Sequence, residues 1–159
     1  MASKRVLELA GLKRILTRAR RGKKVVLTNG VFDLLHMGHV TYLEDAKSLG
    51  DILVVAVNND ASVRALKGPT RPINSAAARA KVLTGLRAVD FATIFSGERA
   101  TKVIRELAPD IYVKGGDYTA ATLNPEEKKA LEDVGAKIVI LQFVKGFSTT
   151  KTIKHLKKK

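Results

Sequence analysis

The chain has 159 residues, of which 45% are apolar and 28% charged, a composition that fits one soluble globular domain and excludes a disordered chain. There is no cysteine, so disulfides, thiolate metal sites and cysteine nucleophiles are excluded, and no apolar run approaches the roughly 18–20 residues that span a bilayer. The net charge of +14 sits at the two ends: residues 1–24 hold 9 basic and 1 acidic side chains, 145–159 hold 6 basic and none acidic, and the stretch between holds 14 of each.

In chain order, residues 4–20 place Val6, Leu9, Leu12, Ile15 and Leu16 at intervals of three and four, which predicts an amphipathic N-terminal helix ended by Arg20-Arg21-Gly22. Residues 24–28 are β-branched and apolar and read as a first strand that Asn29-Gly30 breaks. A helix over 38–49, stopped by Gly50, leads to a second apolar strand at 52–57, and Asn58-Asn59-Asp60 reads as a turn and helix cap. A short helix at 61–66 gives way to a loop carrying Lys67-Gly68-Pro69 and Arg71-Pro72. Asn74 or Ser75 caps a helix running to Arg87. Then come a strand at 91–95, a helix at 98–107 and a strand at 111–114. Asn124-Pro125-Glu126-Glu127 opens a helix that Gly135 stops, ahead of a strand at 137–143 and a last helix at 149–155.

Strands alternate with helices, and the strands are continuous apolar runs. Together these predict an α/β fold: a Rossmann-like doubly wound five-stranded parallel sheet in a single domain with an N-terminal helix. The expected parts are the helix at 1–23, a catalytic core at 24–155 and a basic tail at 156–159. Ligands of such sheets bind beyond the carboxyl ends of the strands, so the loops after strands carry the information.

The segment leaving the first strand, Thr28-Asn29-Gly30-Val31-Phe32-Asp33-Leu34-Leu35-His36-Met37-Gly38-His39, holds two of the three histidines. Gly30 permits a tight turn and close approach to a ligand. Gly38 begins a helix whose unpaired N–H groups attract anions. His36 and His39, three residues apart, can turn their rings the same way and offer two donors. The pattern suits a phosphate chain whose charge grows during reaction. A zinc site there lacks ligands, with Asp33 the one acid nearby.

This segment resembles the H-x-G-H motif of the cytidylyltransferase-like nucleotidyltransferases, and further pieces agree in the family's order. Lys67-Gly68 resembles its lysine loop, Arg79, Leu83 and Val89-Asp90 its R-x-x-x-L…V-D helix, Lys114-Gly115-Gly116-Asp117-Tyr118 its loop after the fourth strand, and Phe147-Ser148-Thr149-Thr150-Lys151-Thr152-Ile153 its S-T-T helix start. Within the family, TNGVFDLLHMGHVTYL, VKGGDY and GFSTT resemble the D-glycero-β-D-manno-heptose 1-phosphate adenylyltransferases. One departure concerns the alternative of a cytidylyltransferase acting on glycerol 3-phosphate. Those enzymes carry an arginine where this chain has Phe143, with Lys145 nearer the glycine.

The resemblance implies ATP and heptose 1-phosphate giving ADP-heptose and pyrophosphate, on the way to the lipopolysaccharide core. His36, His39 and Lys67 are the implied catalytic residues. The implied nucleotide contacts are Asn29, Gly30, Phe32, His36, Gly38, His39, Lys114, Gly115, Asp117, Ser148, Thr149 and Thr150, Ser148 also being the natural helix cap. Lys67 and Arg79 are implied for the second substrate, Arg79 with the alternative of pairing on a helix surface. Asp33 suits either a sugar hydroxyl or the steadying of its loop, and Asn58 either the sugar or a turn. Mg²⁺ is expected on the nucleotide, with no protein ligands assigned. Small-molecule substrates, a separate sugar kinase and a homodimer are the expected partners. Nucleic acid is not expected, because aromatic residues are scarce and none interleave with the basic runs. No membrane partner is expected. The N-terminus lacks the apolar stretch of a secretory signal, so a cytoplasmic setting is expected.

Overall fold

The apolar runs assemble into one sheet that is buried on both faces. The computed structural model describes residues 5–116, 118–119, 122–142, 144 and 146–156. Strands β1 (Val25–Gly30), β2 (Ile52–Asn58), β3 (Phe91–Phe95), β4 (Ile111–Gly115) and β5 (Lys137–Leu141) are all parallel, in the order β3-β2-β1-β4-β5. Successive side chains of a strand point to opposite faces. In β2, Ile52, Val54 and Ala56 enter one core while Leu53, Val55 and Val57 enter the other, so both registers must be apolar and the run is continuous.

Helices cover both faces. Helix α1 (Leu9–Ala19) sets Leu12 and Leu16 into the first core, beside α5 (Thr101–Leu107) and α6 (Pro125–Val134). Helix α2 (Met37–Ser48) sets Tyr42, Leu43 and Ala46 into the second core, and α4 (Ala76–Leu83) adds Ala80 and Leu83. The short α3 (Asp60–Lys67) follows β2, with Asn59 accepting from the Ser62 N–H as its cap. Helix α7 (Thr149–Leu156) contains no buried residue. Among the described residues no helix is long and apolar enough to cross a membrane.

Five local expectations are corrected. Residues 5–8 are not helical: Val6 bridges to Ala92, and Leu7 N–H and Arg5 C=O bond to Ala92. β3 is an edge strand with unpaired backbone groups, and this extended segment satisfies some of them. Asn29-Gly30 does not break β1, because both residues continue the ladder opposite Ala56 and Val57. Asn58 likewise ends β2 instead of opening a turn. Helix α4 stops at Leu83, and the strand before Leu141 is as expected but ends there.

The chain runs β1 to β2 to β3 in one direction and returns to lay β4 on the other side of β1. The carboxyl ends of β1 and β4 therefore flank the point where strand order reverses, the place such sheets hold ligands. Arg79 stabilises the neighbouring end of the sheet. Its side chain has no exposed surface; Nε donates to Asn74 C=O (2.9 Å), Nη1 to Val31 C=O (2.6 Å), and Nη2 to Asn58 C=O and Asp60 Oδ1 (both 2.8 Å). The expectation that it meets substrate, or pairs on a helix surface, is corrected, since it is enclosed and its donors are taken by the Asn74, Val31 and Asn58 carbonyls and the Asp60 carboxylate. Removing it would take a donor from three carbonyls and leave the Asp60 carboxylate with the Ala76 N–H but without its cation. Arg79→Met is expected to cost about 3 kcal/mol or more, read as a lowered urea midpoint; an unchanged midpoint would contradict this role.

Candidate active site

The loop between β1 and α2 is shaped by close contacts. A Cβ added at Gly30 would lie 2.8 Å from the Phe32 ring, so glycine is required for that ring to fold back over the strand end. Phe32 itself has φ 48°, a left-handed conformation costly for a bulky side chain. Its ring meets His39 edge-on at 5.4 Å. His36 is the N-cap of α2, and the His36 and His39 rings stack with centroids 3.8 Å apart and planes 18° from parallel. The helix therefore starts at Met37, one residue before the expected Gly38. A Cβ on Gly38 would stand 3.1 Å from His36 Nδ1 and 3.3 Å from Phe147 Cβ, so Gly38 is the floor on which the His36 ring rests.

Nδ1 of both rings is buried without a hydrogen-bond partner among the described residues, leaving Nε2 as the atom each ring can turn to a ligand. Burial lowers the pKa of His36, and burial followed by the neighbouring His36 lowers that of His39 to about 4. Both imidazoles are thus neutral near pH 7 in the free protein.

These residues open onto a cleft of about 620 Å³. The structure brings Asn29, Gly30, Phe32, His36, Gly38, His39, Lys114, Gly115, Ser148, Thr149 and Thr150 to its walls, together with Asp33, Asn58 and Lys67. Asp117, Phe143, Lys145 and the tail at 157–159 lie outside the described residues. Thr149 Oγ1 donates to Leu34 C=O at 2.8 Å, tying the start of α7 to the β1–α2 loop, and Ser148 Oγ accepts from the Lys151 N–H as a cap.

On the β4 side, Lys114 Nζ donates to Asn29 Oδ1 at 3.0 Å, and the Tyr112 hydroxyl donates to the same oxygen at 2.7 Å. Buried Glu127 lies 3.9 Å from the ammonium and accepts from the Ala100 N–H at 2.8 Å. Burial lowers the Lys114 pKa and Glu127 opposes that shift; burial and then Glu127 push the Tyr112 hydroxyl well above its usual value. The Lys114 ammonium also stands 5.2 Å from the Tyr118 ring centroid.

On the β2 side, Lys67 is exposed at the end of α3, and Asn58 Nδ2 donates to Gly97 C=O at 3.1 Å. Asp33 steadies its loop. Its carboxylate is fully enclosed, pairs with Arg71 Nε at 2.7 Å, and accepts from the Ile73 N–H (2.9 Å) and Asn74 N–H (3.0 Å). Burial alone would raise its pKa, but the Asn74 and Ile73 N–H groups and then Arg71 outweigh it and leave the pKa lowered. Contact between this carboxylate and a sugar hydroxyl is therefore corrected. Sequence reasoning missed Arg71, Glu98, Tyr118 and Phe147 as cleft residues. The first lay in what read as a Gly/Pro connector. Phe147 and Tyr118 lay within the recognised motifs without a role, where an exposed aromatic residue is a usable signal.

The half-buried imidazoles make stability pH-dependent. The unfolded chain protonates them near pH 6.5, whereas folded His39 protonates only near pH 4, so acid favours unfolding across that window. The urea midpoint is expected to fall between pH 6.5 and 4 and to fall less in His39→Gln. The same slope in both proteins would contradict the burial of a neutral ring.

Comparison with known proteins places this architecture. A family model described as cytidylyltransferase-like matches residues 27–155. A bifunctional protein HldE from Cronobacter sakazakii is 48% identical over 157 residues, covering 96% of this chain and 32% of that protein. Its counterpart from Wolinella succinogenes is 44% identical over 157 residues, covering 98% and 32%. The chain thus spans about a third of the length of the curated relatives it matches. A crystal structure described as the lipopolysaccharide core biosynthesis protein of Thermoplasma volcanium aligns with a TM-score of 0.64 at 32% identity, covering 79% of this chain and all of that one. Pantoate-beta-alanine ligase from Francisella tularensis aligns with a TM-score of 0.60 at 14% identity, a likeness of fold alone. With most of its length matched by that family model and two of its three histidines stacked at the first strand–helix turn, the chain belongs to the cytidylyltransferase-like family.

Proposed function

We propose that the chain transfers AMP from ATP to D-glycero-β-D-manno-heptose 1-phosphate, releasing ADP-heptose and pyrophosphate for lipopolysaccharide core synthesis. The observation that carries this reading is the convergence on one cleft of GVFDLLHMGH, the Lys114-Gly115 end of β4 and GFSTT, the segments that resemble heptose 1-phosphate adenylyltransferases. The likeness to a lipopolysaccharide core biosynthesis protein supports the same substrate class.

A phosphate oxygen of the sugar phosphate attacks the α-phosphorus in line, and the bond from that phosphorus to the bridging oxygen breaks, so pyrophosphate leaves with the electron pair. A phosphate monoester is already nucleophilic near neutral pH, so the chain's work is alignment and stabilisation of charge. Nε2 is the nitrogen that each ring can turn to the cleft, and the neutral ring that carries its proton there donates it to a phosphoryl oxygen. Growing negative charge on the phosphoryl oxygens strengthens both donated contacts as the transition state is reached. The N–H groups at the starts of α2 and α7 receive the phosphate chain, with Thr149 and Thr150 on the β and γ groups. Lys67 neutralises charge between the reacting phosphates. Lys114, Gly115 and Asp117 take the base and ribose; Asn58 meets the sugar.

Among the described residues no three histidines or carboxylates converge to hold a metal. Mg²⁺ enters on the triphosphate, with oxygen ligands from nucleotide and water. The sugar 1-phosphate comes from a kinase reaction. Helix α1 spends Leu12 and Leu16 on the core, so a homodimer would use other residues.

A screen of nucleotides and phosphate acceptors, read by pyrophosphate release, tests this directly. Turnover is expected with ATP and heptose 1-phosphate; turnover of CTP with glycerol 3-phosphate and none of the first pair would overturn it. His39→Ala is expected to lower kcat about a hundredfold, the loss of one donor worth about 2.7 kcal/mol or more, with its melting temperature retained. Near-normal kcat would remove His39 from the chemistry.

A further inference from the structure

We propose that Arg71 binds the phosphate of the second substrate and so selects phosphate monoesters as acceptors. The inference rests on the nucleotidyl-transfer reading above and adds to it a residue that the family motifs do not include.

Arg71 is held in place by a built structure. Asp33 accepts the Ile73 and Asn74 N–H groups, and Asn74 Nδ2 donates to Asp33 C=O at 3.0 Å, so the loop at 68–74 is strapped to the β1–α2 loop. Arg71 N–H donates to Gly68 C=O at 3.1 Å within that strap. Its Nε donates to Asp33 Oδ2, and this one contact balances the buried carboxylate. Both Nη groups remain, and they make no hydrogen bond among the described residues. The side chain is only 11% exposed, and it lines the cleft. A guanidinium mostly removed from water with four N–H protons unused is a poor arrangement unless an anion completes it. Its planar fork fits two oxygens of one phosphate.

Position decides which phosphate. The nucleotide side of the cleft lies at β4, with Lys114 and Gly115, and at α7. Arg71 lies on the β2 side, with Lys67 and Asn58. The same Asp33 loop runs on to His36, so a phosphate on Arg71 is delivered beside the imidazole pair from the side opposite the base. Asp33 contributes a second effect: by engaging Nε alone, it fixes the guanidinium plane and leaves the Nη edge as the face an anion can meet.

The test is calorimetry on the whole chain, with heptose 1-phosphate and a non-hydrolysable ATP analogue titrated separately into wild type, Arg71→Lys and Arg71→Gln. Lysine keeps a charge for Asp33, and glutamine keeps a donor for it, so between them the strap survives in at least one variant, checked by melting. Heptose 1-phosphate is expected to bind at least about tenfold more weakly to each folded variant, with the ATP analogue within about twofold of wild type. Unchanged heptose 1-phosphate binding, or an equal loss for both ligands, would overturn the assignment. If wild type instead binds glycerol 3-phosphate and ignores the sugar phosphate, the heptose reading fails, while a tenfold loss of glycerol 3-phosphate in the variants upholds Arg71.

Discussion

Two imidazoles stacked 3.8 Å apart are the constraint on which the rest of the cleft depends. Such a pair is tolerable only while neutral or facing an anion, because two imidazolium rings at that distance repel strongly. The surrounding residues secure the first condition. Burial against Phe32 and α2 suppresses protonation, and the missing partners of Nδ1 leave each ring's other nitrogen for a ligand. The geometry is expensive elsewhere: a left-handed Phe32, a glycine at 30 that no side chain could replace without moving that ring, and a glycine at 38 beneath His36. Strain gathered at one loop of an otherwise regular sheet is where function is expected.

The topology turns this loop into a two-sided site. β1 is central, and chain order reverses beside it, so β4 supplies one wall and the loops after β2 the other. Each wall is backed by a buried ionic cluster. Glu127, Lys114, Tyr112 and Asn29 hold the β4 side. Asp33 with Arg71, and Asp60 with Arg79, hold the β2 side. In each cluster a carboxylate is satisfied by backbone N–H groups as well as by a cation, which offsets the cost of burying the charges. The result is a rigid set of donors around a cleft, suited to a reaction that asks for alignment more than for acid–base chemistry.

Much of this was legible in the residues. Sheet class followed from 52–57, where both faces are apolar, and caps at Asn59, Ser75 and Asn124 are as local chemistry dictates. The imidazole pair was legible because two histidines at helical spacing after a strand have few other uses. What escaped were facts of tertiary pairing. Asn29-Gly30 looks like a break until Ala56 and Val57 supply ladder partners. Residues 5–8 continue a helical period, yet the open edge of β3 draws them into extended pairing. Arg79 and Arg71 show the limit most clearly. Local sequence does not reveal that the first is walled in by carbonyls, nor that the second is strapped by an acid 38 positions earlier.

The central claim is that the stacked rings form the phosphate site, and its most direct measurement is the titration of His39 by NMR with and without a saturating non-hydrolysable ATP analogue. Phosphate oxygens at Nε2 would stabilise the protonated ring, so the account predicts a midpoint near 4 in the free protein that rises by about one unit or more when the nucleotide is bound. A midpoint that stays where it was, with the nucleotide demonstrably bound, would place the triphosphate elsewhere and contradict the account.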